Sequence, residues 1–278
     1  MAHDPKWVAL QIVYGGALAE IERLFASGGY CFMPIKGAYL IRSGLAASIE
    51  NRRMRDIDLL LPDDRYREAC DWFESLSEVR ICPRYWDFER PVAFEWNRHS
   101  IYVELHRLVN SPDRFLLSNL ELFDRARIVS ESCRFPDPVD ALLIHICHKL
   151  LHVIDGFELQ FYREIDLYAR QEGFSWDVFW ERAGKTGITA FIWLVVHKCN
   201  TLLDTGFQLP AAPTLYASML GKLNLFMRCR SRAGRRLLYE IPFVRSVFGL
   251  ARYNWIRRRE LRREAGNCGT GATVYRRK

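Results

Sequence analysis

The chain lacks the patterns that mark a disulfide-stabilised, zinc-stabilised or membrane-spanning protein. Its eight cysteines are scattered over 278 residues without one Cys-x-x-Cys pair, which argues against a disulfide framework or a structural zinc site. The N-terminal region carries no apolar signal segment, so we expect a reducing, cytoplasmic location. Residues 188–203 form the most apolar predicted helix, but they include His197 and Lys198 and are too few for a confident span.

Internal repeats and low-complexity linkers are also missing from the sequence. A hydrophobic content of 49% over 278 residues is typical of a folded globular protein with one large or two modest domains.

Acidic residues are scarce at the C-terminal end. The whole chain carries 40 basic and 33 acidic residues, a net charge of +7, whereas residues 227–278 carry 15 basic and 3 acidic residues, a local charge of +12. The rest of the chain is therefore −5. This basic segment favours an anionic partner such as nucleic acid, an acidic leader peptide or an anionic membrane surface. The alternative is a solvated helix, and we expect the Gly-rich tail, residues 266–278, to be disordered.

Two carboxylates stand two residues apart in an apolar run at residues 55–61. In a strand, residues i and i+2 point to the same face, so Asp56 and Asp58 project together. Like charges repel unless a cation lies between them, and Mg²⁺ prefers hard oxygen ligands of this kind. The alternative is a strand start with two solvated acids.

A Lys-Gly dipeptide precedes this run. Residues 31–35 predict a short strand and residues 38–49 a helix, with Lys36 and Gly37 at the junction. A glycine there allows backbone N–H groups to approach a phosphate, and Lys36 adds a positive charge. An ordinary turn is the alternative.

Downstream, the sequence predicts a helix over residues 66–76 and strands over residues 78–88, 91–96 and 100–108. The last strand alternates, which places Glu104 and His106 on one face. Acidic residues are uncommon in strands because their β-propensity is low. We therefore expect Glu104 to lie either on a solvated face or in a functional site.

Together the motifs K-G-x-x-L, R-x-M-x-D-I-D-L-L and V-E-L-H resemble the uncharacterised nucleotidyltransferase family of the polymerase-beta-like superfamily. The resemblance extends through residues 138–148 and 163–167 and covers roughly residues 30–190. It implies an α+β fold, in which a minimal nucleotidyltransferase mixed sheet with flanking helices is followed by a C-terminal helical domain. The expected boundaries are 1–110 for the catalytic domain, 111–265 for the helical domain and 266–278 for the tail.

The resemblance also implies roles for individual residues. Asp56 and Asp58 would bind two Mg²⁺ ions with a nucleoside triphosphate, and Glu104 would be the third acid, near the acceptor. The superfamily usually has Gly-Ser after the first strand, where this chain has Gly37 and Ala38. Phosphate binding would then fall to three residues: Lys36, Gly37 and Arg52. The departure keeps open a non-catalytic relative that binds nucleotide or protein.

Three histidines follow helical spacing at positions 145, 148 and 152, and they therefore share a helix face. For His145 and His148 we consider a structural or supporting role, contact with nucleotide or acceptor, and a metal site; the HExxH pattern is absent. His106 contacts acceptor or phosphate, or is simply a polar residue at a sheet end.

The expected reaction is Mg²⁺-dependent transfer of a nucleoside monophosphate from an NTP to an acceptor hydroxyl or phosphate. The acceptor is expected to be a small molecule or peptide rather than nucleic acid. An RNA-modifying, toxin-like transferase that docks RNA through the basic segment is the alternative.

Overall fold

A five-stranded mixed sheet lies at the centre of the computed structural model, which describes residues 5–48, 54–83, 88–109, 115–151 and 158–222. The strands are β1 (Met33–Pro34), β2 (Ile57–Leu60), β3 (Val79–Ile81), β4 (Glu89–Trp96) and β5 (His99–His106). They lie in the order β1-β2-β5-β4-β3, and within this sheet only β2 and β5 are parallel neighbours. A separate two-stranded ribbon consists of β6 (Arg127–Ile128) and β7 (Arg134–Phe135).

Helices flank this sheet and continue beyond it. They are α1 (Pro5–Ser27), α2 (Lys36–Arg42), α3 (Tyr66–Glu74), α4 (Asn119–Asp124), α5 (Pro138–Leu151), α6 (Leu159–Ala169), α7 (Trp176–Lys185), α8 (Thr189–Leu203) and α9 (Leu215–Lys222). The predicted α+β class, a mixed sheet with flanking helices, is confirmed. In the part of the chain that the structure describes, no helix combines the length and apolarity needed to cross a bilayer.

The hairpin β4–β5 sets the register of two strands. Its two turn residues, Asn97 and Arg98, have φ angles of 46° and 66°, as a two-residue turn of type I′ requires. The pairing then runs without interruption from Trp96 beside His99 to Glu89 beside His106. A surface turn therefore determines which residue of β4 faces the far end of β5.

Strand β2 is buried along its whole length. Its residue Asp58 lies directly beside Glu104 of β5 across the parallel ladder. The flanking residues Ile57 and Leu59 are fully buried in the core. Parallel pairing between these strands brings together two acids that lie far apart in the sequence.

The helix predicted over residues 38–49 is interrupted. Helix α2 ends at Arg42, Gly44 has a left-handed φ of 79°, and a 3₁₀ turn follows at Leu45–Ser48. Glycine adopts positive φ at little cost, and it commonly ends helices for that reason. The prediction treated Gly44 as an interior helix residue, and this part of it is wrong.

The helical half packs around α6 and α8. Tyr162, Ile165 and Tyr168 of α6 are fully buried, as is most of α8. Ser175 caps α7, since its hydroxyl accepts a hydrogen bond from Val178 N at 3.5 Å. Packing rather than helix propensity holds these elements together.

Adjacent glycines in α1 are expected to respond oppositely to alanine. A Cβ on Gly16 would overlap the ring of Trp96, whereas a Cβ on Gly15 would meet only Ile41 Cγ2 at 3.6 Å, an ordinary contact. Gly16→Ala should lower the free energy of unfolding by about 1–3 kcal/mol through overpacking. Gly15→Ala should raise it by about 0.5–1 kcal/mol through helix propensity. Chemical denaturation measures both, and equal effects of the two variants would contradict the packing.

Candidate active site

Three side chains from β2 and β5 converge at one end of the sheet. Asp58, Glu104 and His106 each offer a ligand atom, and these atoms all lie within 4.8 Å of one another. The three residues are only 3%, 6% and 3% exposed. Buried carboxylates are costly unless they are paired or coordinate a cation, so this cluster needs positive charge.

Lys36 supplies part of that charge. Its Nζ donates a hydrogen bond to Asp58 Oδ1 at 2.6 Å. The residue has a left-handed φ of 53°, a conformation that costs a non-glycine residue about 1–3 kcal/mol and clusters at functional sites. Tyr168 of α6 stabilises it by donating from Oη to the Lys36 carbonyl at 3.1 Å. The helical half thus holds the junction between β1 and α2 in place.

Gly37 and Ala38 lie just after this junction and are buried within α2. The left-handed backbone falls on Lys36, one residue before the glycine that was expected to allow close approach of a phosphate. Ala38 is fully buried, so its methyl group belongs to the core.

Burial and charge act in opposite directions on the site's ionisable groups. Burial would raise the pKa of Asp58, but Lys36 and His106 hold that pKa below its ordinary value. Burial would lower the pKa of Lys36, yet the charges of Asp58, Glu104 and Asp56 raise it. Lys36 and Asp58 are therefore both ionised at neutral pH.

His106 is the second cation of the cluster. Burial and the charge of Lys36 lower its pKa, but hydrogen bonding to Asp58 and Glu104 raises the net pKa to about 9. Its Nε2 lies 3.0 Å from Asp58 Oδ1 and 3.5 Å from Glu104 Oε2. When protonated, the ring donates from Nε2 to Asp58 Oδ1, whereas a neutral ring with its proton on Nδ1 offers an Nε2 lone pair.

A further acid, Glu89, lies at the site and was not among the residues predicted from the sequence. It is paired with His106 across the β4–β5 ladder, and its Oε2 lies 3.9 Å from His106 Nδ1. Burial, together with the charge of Glu104, raises the pKa of Glu89. The signal was present in the sequence, because counting pairs back from a two-residue turn at Asn97 and Arg98 leads to this residue.

Asp56 lies immediately before β2, half-buried, and outside the three-atom cluster. Its charge contributes to the raised pKa of Lys36, so it lies at the rim of the same site. The structure thus brings Asp58, Glu104, His106 and Lys36 together and leaves Asp56 at the edge. Arg52 lies outside the described residues, as does the predicted tail at 266–278.

The histidines of α5 divide between two environments. His148 is near enough to Asp58 to lower its pKa. The His145 ring lies against Phe161 and Tyr168, with centroid separations of 4.9 and 5.1 Å. The third histidine of the predicted face, at position 152, falls outside the described residues.

The donor set suits a divalent cation. Ligand atoms around one ion at about 2.1 Å lie no more than about 4.2 Å apart, so the cluster could close on an ion with a small adjustment. The two carboxylates supply the hard oxygen donors, and both are buried.

Comparison with known proteins identifies the family. A family described as uncharacterised nucleotidyltransferase matches residues 8–204. These residues include the whole five-stranded sheet, with Asp58 and Glu104, and the helices from most of α1 through α8. No curated protein and no solved structure gives a significant match. Since the match spans well over half of the 278 residues, the chain belongs to this uncharacterised nucleotidyltransferase family and is a transferase enzyme.

Proposed function

We propose that the enzyme transfers a nucleoside monophosphate from an NTP to a hydroxyl or phosphate of a small-molecule or peptide acceptor. The reaction depends on divalent metal and takes place in the cytoplasm. The observation that carries the proposal is the buried pair Asp58 and Glu104, adjacent across a parallel ladder and neutralised by Lys36. A family of nucleotidyltransferases supplies the reaction class.

Asp56, Asp58 and Glu104 would hold the metal ions, with Mg²⁺ at the position that Asp56 and Asp58 share with the triphosphate. When bound, the ions neutralise charge on the phosphates and on the acceptor oxygen. Asp58 would contribute to holding both ions, and Glu104 would lie toward the acceptor, where it would accept the proton of an attacking hydroxyl. The buried setting strengthens each of these interactions.

Lys36 binds phosphate in this proposal. Its ammonium group sits on Asp58, at the entry to a strained backbone junction, and an incoming triphosphate offers it additional anionic oxygens. Gly37 adds close backbone approach, and Arg52 is proposed as a further phosphate ligand.

The acceptor is proposed to bind between the catalytic sheet and the helical half, which we divide near residue 110. His148 approaches the acid cluster from α5, and Tyr168 approaches the Lys36 junction from α6. His148 is the residue we assign to acceptor contact, with His145 supporting it through the α6 interface. The basic segment at 227–278 is proposed to bind an anionic partner.

Calorimetric titration of ATP, GTP, CTP and UTP, each with and without Mg²⁺, tests the proposal. Wild-type protein should bind at least one NTP in a Mg²⁺-dependent manner, and the double variant Asp56→Asn/Asp58→Asn should lose that binding. The matched control is Asp63→Asn/Asp64→Asn, which removes two exposed carboxylates just beyond β2.

Mg²⁺-dependent binding that persists in the Asp56→Asn/Asp58→Asn variant would overturn the assignment of the metal site. Absence of binding by any NTP to folded wild-type protein would overturn the proposed donor substrate. An acceptor search with the labelled nucleotide follows from the first result.

A further inference from the structure

We propose that His106 Nε2 is a direct metal ligand together with Asp58 and Glu104, and that this position prefers a divalent first-row transition cation, with Mn²⁺ as the probe, over Mg²⁺. The inference rests on the proposed function only in that a divalent ion binds at Asp58 and Glu104. His106 would thus add a nitrogen ligand to a metal site otherwise formed by the three carboxylates Asp56, Asp58 and Glu104.

The position of Nε2 is the first observation. It lies 3.0 Å from Asp58 Oδ1 and 3.5 Å from Glu104 Oε2, so an ion that contacts both carboxylates lies within reach of the imidazole. His106 is 3% exposed, which leaves the ring little freedom to turn away. An ion here would meet one nitrogen and two oxygen donors.

Glu89 behind the ring is the second observation. A metal-bound histidine normally gives its other N–H to a carboxylate, which sets the tautomer and orients the ring. Among the described residues, His106 Nδ1 has no hydrogen-bond partner, and the nearest carboxylate oxygen is Glu89 Oε2 at 3.9 Å. A neutral imidazole with its proton on Nδ1 would point that proton at Glu89 and its Nε2 lone pair at the ion.

The donor set determines the preference. Mg²⁺ selects oxygen ligands and retains water, whereas an imidazole nitrogen suits first-row transition cations such as Fe²⁺ and Zn²⁺. Mn²⁺, the weakest binder of that series, serves as the paramagnetic probe. The rival explanation is that His106 only neutralises Asp58, as Lys36 does at 2.6 Å. The two explanations differ in whether a nitrogen touches the bound ion.

Pulsed electron paramagnetic resonance of Mn²⁺ bound to the full chain distinguishes direct metal ligation by His106 from simple neutralisation of Asp58, and it needs no mutation. Wild-type protein should show modulation from a directly bound ¹⁴N, and protein labelled with [¹⁵N]histidine should replace it with the ¹⁵N pattern. Bound Mn²⁺ without nitrogen coupling would overturn the inference and leave the proposed function standing.

Variants then identify the histidine. His106→Asn should lose the nitrogen coupling and bind Mn²⁺ at least about 10-fold more weakly, with Mg²⁺ affinity changed far less. His148→Asn is the matched control, since this histidine also lies near Asp58, and it should keep the coupling. Loss of coupling in the His148 variant alone would overturn the assignment to His106.

Glu89→Gln tests the support behind the ring. It should weaken Mn²⁺ binding by about 10-fold and retain the nitrogen coupling, because His106 is still present. Unchanged affinity would overturn the role of Glu89.

If wild-type protein binds NTP with Mg²⁺ but binds no Mn²⁺, the inference fails while the proposed function survives. If it binds neither metal nor NTP, both fail.

Discussion

Asp58→Asn is expected to reduce NTP turnover by about 10³-fold or more and to destabilise the fold. The carboxylate is proposed to bridge both metal positions, and metal stabilisation of transition-state charge amounts to several kcal/mol, which corresponds to that factor. It also neutralises the half-buried Lys36 at 2.6 Å and the buried His106 at 3.0 Å. Loss of one partner from a buried pair costs about 3–5 kcal/mol. Initial rates of pyrophosphate release measure the first effect, and denaturant unfolding measures the second.

Two comparisons separate catalysis from folding in that experiment. Asp64→Asn makes the same chemical change at an exposed position and should leave both quantities nearly unchanged. Lys36→Met combined with Asp58→Asn removes one of the stranded cations and should recover part of the lost stability without recovering turnover. Turnover within 10-fold of wild type in folded Asp58→Asn protein would exclude a bridging role.

Asp140→Asn is expected to lower the free energy of unfolding by about 3 kcal/mol. The carboxylate is fully buried at the start of α5. It accepts from Arg125 Nε at 2.8 Å and Nη2 at 3.2 Å, and it pairs with Arg182 Nη1 at 3.1 Å. This one side chain ties α5 to the segment after α4 and to α7, so its loss leaves two guanidinium groups short of a partner. Chemical denaturation at neutral pH measures the loss.

Asp137→Asn is the matched control. Asp137 lies just before α5, where its Oδ1 accepts from Val139 N at 3.0 Å, and asparagine caps helices about as well as aspartate. It contacts Arg182 as well, but its side chain is 26% exposed. We expect a cost below about 1 kcal/mol. Similar costs for the two variants would mean that burial of Asp140 is not what makes its ion pairs important.

Part of the site could be predicted from the sequence because side-chain alternation is a local property. Asp58 and Glu104 each stand out as an acid within an apolar strand pattern, and the structure has both buried and adjacent. Alternation does not say which strands are neighbours. The parallel pairing of β2 with β5 depends on packing across the whole domain. The family resemblance implied a mixed sheet that carries the acids, but not the direction of this pair.

The remaining errors have separate physical causes. Asp56 was expected within the strand, but β2 begins at Ile57, and strand ends are set by the ladder rather than by composition. Glu89 was missed because the predicted strand began two residues later, at residue 91, and so left Glu89 outside it. Gly44 was read as helical, although a single left-handed glycine is enough to end α2.

The type I′ turn at Asn97 and Arg98 makes an exposed loop intolerant of insertions and deletions. Strand β5 is held independently by β2, so one extra residue in the turn would shift β4 alone, and the period of two would turn Glu89 to the opposite face. His106 lies eight residues beyond Arg98, the last residue of the turn, roughly 27 Å along the strand. Length variation at a distant surface loop would therefore remove one carboxylate from the active site and leave Asp58 and Glu104 in place.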